Sequence, residues 1–315
     1  MGKKVPLILK EIQSYKPHEI NYAFQKNVSY SQYSMWKNCP KQWSLAYREK
    51  HKRFNSSIHS VFGTAVHETL QHYLKVMYDK SGAAADREDI EGLFKERLRF
   101  NYKEEYKKNK DQHFSTPEEL AEFYDDGLEI LRFIKKKRGS YFSKRGWHLA
   151  GIEIPIVLPP NLKYPNVFFN GFLDVVLYHE PTKSFLIIDI KTSTKGCNKY
   201  AKNDEDKQFQ LILYKKFFAE QFEVPIKNID VEFFIVKRKL YEDWDMPQKR
   251  VQEFKPPSGK IKLGRATKAL NEFLDECFVG NSYTEKEMNP TPSKWACTFC
   301  PYKEEKELCG LGVNL

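Results

Sequence analysis

No stretch of the sequence approaches the roughly 18 to 20 consecutive apolar residues that a membrane-spanning helix requires. The opening "MGKKVPLILKEIQSYK" has no hydrophobic region followed by a cleavage site, and "MGKKVP" lacks the Ser or Thr of a myristoylation signal. A soluble, cytoplasmic protein with no membrane partner is therefore expected. No G-x-x-x-x-G-K-[ST] loop occurs, so a helicase motor within the chain is excluded. Repeats of fixed period and long low-complexity linkers are missing as well. Cysteine is scarce, six in 315 residues, and disulfides explain it poorly in a reducing compartment. What is plentiful is aromatic surface and positive charge. Aromatics make up 15%, and 52 Lys and Arg against 42 Asp and Glu leave a net charge of +10. That surplus suits a polyanionic partner.

The hydrophobic pattern divides the chain. Residues 1–30 read as a weakly structured segment, 31–146 as a helical region, 147–285 as an α/β core and 286–315 as a cysteine-bearing tail. "SQYSMWKNCPKQWSLAYREK" has helical tendencies broken at Pro40. In "FGTAVHETLQHYLKVMY" apolar residues recur at helical spacing, with Gly63-Thr64 as the expected start. Helices are also expected over roughly 85–109 and 116–138. From "HLAGIEIPIVLP" onward the period changes to that of strands. A helix over 204–222, strands over 229–240 and around "QKRVQEFKP", and a helix from about 261 to 279 complete an α/β pattern.

Charge is out of place in the strands "NGFLDVVLYH" and "KSFLIIDIKT". Alternation puts Phe172, Asp174 and Val176 on one face, and Ile187, Asp189 and Lys191 on one face of the next strand. A loop from Glu180 to Lys183 brings Asp174 opposite Asp189. Like charges facing across a strand pair are destabilising unless a cation separates them. A hard divalent metal does this, and such an ion activates water for attack on phosphoryl groups. Lys191 points to the same spot. A solvent-facing edge hairpin is the competing explanation, but the flanking strands are too apolar for an exposed ladder.

These residues resemble a family. "GFLDVV", "LIIDIKT", "QLILY" and the earlier "FGTAVHETL" are similar, in order and spacing, to the motifs of the RecB-like branch of the PD-(D/E)XK nuclease superfamily. The resemblance implies a restriction-endonuclease-like α/β core, a central mixed sheet flanked by helices. It implies metal ligation by His67, Asp174, Asp189 and the backbone carbonyl of Ile190, with Lys191 as the catalytic lysine. Gln210 and Tyr214 would be the Q-x-x-x-Y element that holds the DNA backbone or orders the catalytic groups. Mg2+ or Mn2+ is the implied ion, imidazole favouring the admission of manganese. Glu68 and Glu153 are weighed only as supporting groups.

"WACTFCPYKEEKELCG" contributes Cys297, Cys300 and Cys309, and a tetrahedral site needs a fourth thiolate. Cys39, in "YSMWKNCPKQW", is the natural candidate. The arrangement is similar to AddB-type and CRISPR-associated members of the branch, which implies a 4Fe-4S cluster stapling the chain ends. Zinc in the same thiolates, or free thiols, are the alternatives. Cys197 and Cys277 are expected to hold no metal.

For the nucleic acid, "RFIKKKRGSYFSKRGW" carries seven basic residues and no acid, with aromatics interleaved. Lys135, Lys136, Lys137, Arg138, Lys144, Arg145 and Trp147 are the candidate contacts. "KRKLY" (237–241) and Lys195, Lys199 and Lys202 are further ones. The expected function is a metal-dependent DNA nuclease, an exonuclease on single strands or ends, in recombination, repair or phage-type DNA processing. It would work in the nucleoid, or in a host cytoplasm if phage-encoded, alone or with a helicase, recombinase or other DNA-processing protein. A catalytically silent nuclease-fold DNA-binding or scaffold subunit is the alternative.

Overall fold

The structure, a computed structural model, describes residues 6–51, 56–142, 144–198, 202–240 and 248–309. In chain order, α1 (Leu7–Ser14), β1 (Lys26–Val28), α2 (Tyr30–Asn38) and α3 (Pro40–Trp43) lead into a π-helical turn at Ser44–Arg48. Helices α4 (Ile58–Asp79), α5 (Gly82–Arg87), α6 (Ile90–Lys108) and α7 (Pro117–Tyr141) follow. Then come β2 (Trp147–Leu158), β3 (Val167–His179), β4 (Ser184–Ser193), α8 (Glu205–Gln221), β5 (Ile229–Lys237) and β6 (Val251–Phe254). The remainder is α9 (Lys260–Cys277), the small pair β7 (Phe278–Val279) and β8 (Ser282–Tyr283), and the short helices α10 (Lys294–Thr298) and α11 (Lys306–Cys309).

Six strands form one mixed sheet. Its order is β1-β3-β4-β5-β6, and β2 pairs with β3 as well. β2–β3, β3–β4 and β5–β6 are antiparallel, whereas β4 and β5 run parallel and are joined by α8, as a parallel pair requires a crossover. Alternation along the strands then loads both faces. Val175, Leu177, Ile188, Ile190, Phe234 and Val236 pack beneath α4 to α7. On the other face Val176, Tyr178, Ile187, Val231, Phe233 and Ile235 share a core with α1, α2, α8 and α9. With both faces apolar, the central strands have no solvent side, so a charge within them must be satisfied locally.

Three expectations need correction. The stretch expected to be weakly structured holds α1, whose Leu9 and Ile12 are buried in the second core, and β1, which pairs in parallel with β3. Its short apolar spacing is helical once the sheet supplies a surface to cover. Helix α4 begins at Ile58, not at Gly63, because the Ser57 side chain accepts from the His59 N–H and caps it there. Gly63 lies inside the helix, where a Cβ would stand 3.0 Å from Thr192 Oγ1; its bareness lets α4 approach the end of β4. The helix expected over 85–109 is two, since Glu88 is extended and the Asp89 carboxylate caps α6 by accepting from the Gly92 N–H.

Pro40 does interrupt the early helical stretch. Cys39 adopts φ −159° and ψ 105° between α2 and α3, with Pro40 at the first position of α3. The tail docks on this stretch. Thr291 Oγ1 donates to the Asn38 carbonyl at 2.8 Å, Arg48 Nη1 to the carbonyls of Thr284 (3.1 Å) and Lys286 (2.7 Å), and the Tyr302 hydroxyl to the His51 carbonyl.

Candidate active site

The β3–β4 ladder runs around the four-residue turn 180–183, from His179 opposite Ser184 to Val175 opposite Ile188. The next pair in that register is Asp174 and Asp189, and there the ladder stops. The strands part, and the Asp174 side chain turns into the gap, where Oδ2 accepts the Ile190 N–H at 2.7 Å. On the other side of β3, Ile152 pairs with Val175 and Ile154 with Leu173, which leaves Glu153 across from Asp174. Three carboxylates thus stand in one row across β2, β3 and β4. Glu153 has φ +51°, left-handed backbone in the middle of a strand, just beyond a bulge between Leu149 and Gly151. Strain of this kind is held only where the surroundings over-determine it.

Helix α4 supplies two side chains, one turn apart on the same face. His67 Nε2 lies 2.9 Å from Asp174 Oδ2, and its Nδ1 lies 3.7 Å from Glu153 Oε1. Gln71 Nε2 donates to Glu153 Oε1 at 2.5 Å and to the Asp174 carbonyl at 3.1 Å. One ligand atom each from His67, Glu153 and Asp174 lies within 4.8 Å of the others. An imidazole with two carboxylates suits a hard or borderline divalent cation.

Asp189 stands beside this group rather than in it. It is 2% exposed. Lys191 Nζ donates to its Oδ1 at 3.0 Å and sits 2.8 Å from Oδ2. Oδ2 itself is buried and, beyond the ion-pair contact with Lys191, receives no hydrogen bond among the described residues, so it keeps a lone pair for a cation. Burial pushes the Asp189 carboxyl up to about 6, against Lys191, which lowers it, and with Asp174, which raises it further. Burial works to lower the Lys191 ammonium, but Asp189 outweighs it and leaves the group raised. For His67, burial again works downward, and the Asp174 carboxylate more than offsets it, so the imidazole is raised above its ordinary value. Concentrated negative charge therefore sets the protonation of every cationic group here.

Gln210 and Tyr214, a turn apart on α8, close the site from the second core. Gln210 Nε2 donates to the Tyr214 hydroxyl at 3.4 Å. Tyr214 is raised by burial first, with the charges of Asp189, Lys191 and Asp174 close enough to act on it. Its ring lies against Gly171, where a Cβ would stand 2.7 Å from Cε1, so only glycine admits the tyrosine to the parted strands.

Asp174, Asp189, Ile190, Lys191, His67, Gln210 and Tyr214 converge as a set; for Ile190 the contact seen is its N–H to Asp174. Sequence reasoning underweighted Glu153 and missed Gln71. One acid within the apolar "GIEIP" was the available signal for the first, and the second needed the helix position of His67 carried forward one turn. Glu68 faces away, accepting from Asn101 Nδ2 at 3.2 Å.

The basic strip does not reach this centre. Trp147 pairs with His179 and their rings lie 4.8 Å apart, five residues along β3 from Asp174, which is roughly 17 Å of strand. Arg138 is held by Asp86 at 2.9 Å, and Lys135 lies close enough to act on Glu91. Of the further candidates, Lys199 and Tyr241 lie outside the described residues. At the other site, burial raises the Cys300 thiol, the Tyr302 N–H works against this, and Cys39, Cys309 and Cys297 raise it further. Cys300 is thus within electrostatic reach of the other three thiols. Among the described residues, no three of these sulfurs lie within 4.8 Å of each other. No described helix is long and apolar enough to cross a membrane.

Comparisons with known proteins bear on this centre. The sequence family described as the PD-(D/E)XK nuclease superfamily matches residues 27–305, most of the chain. Among curated proteins none matches. This chain is also similar to a solved structure described as a "Putative exonuclease" from Eubacterium rectale, with a TM-score of 0.47 and 11% identity over 83% of this chain and 85% of that one.

Proposed function

The chain belongs to the PD-(D/E)XK nuclease superfamily, and we propose that it is a divalent-metal-dependent deoxyribonuclease of the RecB-like branch, cutting single strands or DNA ends as an exonuclease. One observation carries the reading. Where β3 and β4 part, Asp174, Glu153 and His67 gather ligand atoms within 4.8 Å, and the Asp189–Lys191 pair stands directly alongside. A structural ion pair has no need of a strained Glu153, a third carboxylate and a half-exposed ammonium.

His67, Asp174 and Glu153 would hold the cation, with Asp189 Oδ2 as the further oxygen ligand. When bound, Mg2+ or Mn2+ supplies positive charge against the scissile phosphate and makes water a stronger acid. The chain does the rest. Asp189 fixes the Lys191 ammonium, which is placed to orient the attacking water and to balance charge growing on the phosphoryl oxygens. Gln71 holds Glu153 and, through the Asp174 carbonyl, the strand that carries its partner. Gln210 and Tyr214 present an amide and a hydroxyl toward the substrate side.

A 4Fe-4S cluster at Cys39, Cys297, Cys300 and Cys309 is the second half of the reading. Zinc held by the same four thiolates, through Zn–S bonds of about 2.3 Å, is the alternative. The cluster's duty would be to hold the tail against the α2–α3 segment. End-labelled single- and double-stranded DNA incubated with Mn2+ or Mg2+, with iron and zinc measured on the same anaerobic preparation, tests both halves. Stepwise loss of label that EDTA stops supports the nuclease; intact DNA under every metal condition contradicts it. Colourless, iron-free protein contradicts the cluster.

A further inference from the structure

Beside Lys191, away from the carboxylate row, a cleft of about 500 Å³ opens between α2, the start of α8 and the ends of β4, β5 and β6. Its walls include Phe233, Ile235, Phe254 and the ring of Tyr30, and Lys191 and Gln210 stand at the side shared with the active site. Gln208 also lines it. That side chain is 5% exposed, and its Nε2 donates to the Lys202 carbonyl at 2.6 Å, which fixes the amide with Oε1 on the other side. Oε1 is buried and has no partner among the described residues. A buried acceptor left unpaired is costly, so one is kept where something else comes to satisfy it.

From this geometry, and resting on the nuclease reading above, we infer that the cleft receives the base of a nucleotide flanking the scissile phosphate. The volume suits one nucleoside. Phe254 offers an aromatic wall whose ring is parallel to Phe233 within 7°, with centres 6.3 Å apart, and Lys202 Nζ lies over the Phe254 ring 5.7 Å from its centre, which adds positive charge to that wall. Gln208 Oε1 accepts, so its complement is an N–H donor, the amino or imino group on the edge of a nucleobase. A phosphate at Lys191 and a base against Phe254 are the two ends of one nucleotide. Such a base must be unstacked and unpaired, which restricts the centre to single strands or frayed ends.

Single-stranded oligonucleotides carrying one abasic residue at successive positions test this, read as the cleavage rate at each phosphodiester. Wild type is expected to slow about tenfold or more at one bond with a fixed offset from the abasic site. Phe254→Ala and Gln208→Leu should slow the same bond in the normal strand and abolish the difference between normal and abasic. Cleavage that passes the abasic residue at an unchanged rate overturns the inference. Equilibrium binding of the same oligonucleotides in Ca2+ separates this from the nuclease reading, since it needs no cleavage. There Phe254→Ala should weaken normal strands about tenfold and leave the strand abasic at that position unchanged. Equal weakening of both would show that the cleft holds no base, whether or not the protein cuts.

Discussion

The two candidate metal sites of this chain are built in opposite ways. Around Asp174 the protein assembles the site from its own contacts. His67 is bonded to Asp174, Gln71 holds Glu153, Lys191 neutralises Asp189, and the sheet keeps Glu153 at φ +51°. Around Cys300 it brings together thiols from distant parts of the chain on elements of four and five residues, beside an exposed Trp295. The first site is held by the protein's own contacts, and on the reading proposed above the second would be held by the group its thiols bind. Preorganisation serves a group that must bind and release substrate in fixed geometry, whereas a metal that completes a fold contributes its binding energy to stability.

That contrast can be broken by substitution. Lys191→Ala should lower the cleavage rate by about a thousandfold or more while the melting temperature changes little, measured in single turnover at saturating Mn2+. Cys300→Ser should do the reverse. It is expected to remove the iron and cost a few kcal/mol of stability, seen as a lowered unfolding midpoint, with the rate per folded molecule kept within a few-fold. A Cys300→Ser protein that is as stable as wild type would erase the distinction between the sites.

Protonation sharpens the comparison. Asp189 and His67 both have folded values raised above their ordinary ones. Their contributions to metal-free stability are therefore full at low pH. The Asp189 contribution is lost as pH rises through about 6, and that of His67 as pH rises through its own raised value. Metal-free protein should lose on the order of 1 kcal/mol between pH 5 and pH 8 from Asp189, with a further loss from His67 in the same direction. Added Mn2+ should bind more tightly over the same rise, because each bound ion displaces protons, and calorimetry at three pH values reads both slopes. The smallest expected effect is at Glu153. Glu153→Gly should exceed Glu153→Ala in stability by about 1 kcal/mol, since φ +51° suits glycine alone, and both should weaken Mn2+ binding.

Much of this was legible in the sequence. Period-two alternation placed Asp174, Asp189 and Lys191 on strands, and an assumed four-residue turn set their register, which the 180–183 turn bears out. His67, Gln210 and Tyr214 were legible through motif spacing. Glu153 was not, because its role depends on a bulge and a left-handed residue that shift β2 against β3, and neither has a local signature in "LAGIEIP". α1 and β1 were missed for a related reason. Each is too short to show a period and is ordered only by the sheet it covers. For the basic strip, composition reports charge but not the end of the sheet on which it falls, and Trp147 lies at the far end of β3 from Asp174.

The central claim is that the parted ends of β3 and β4 form a phosphodiester-cutting centre. It is tested most directly by comparing wild type with Asp189→Ala, both saturated with Mn2+ and matched for folding by circular dichroism and for DNA binding, on end-labelled single-stranded DNA. Wild type should release label and Asp189→Ala should release none above background. Release by Asp189→Ala at a rate near wild type would contradict the assignment.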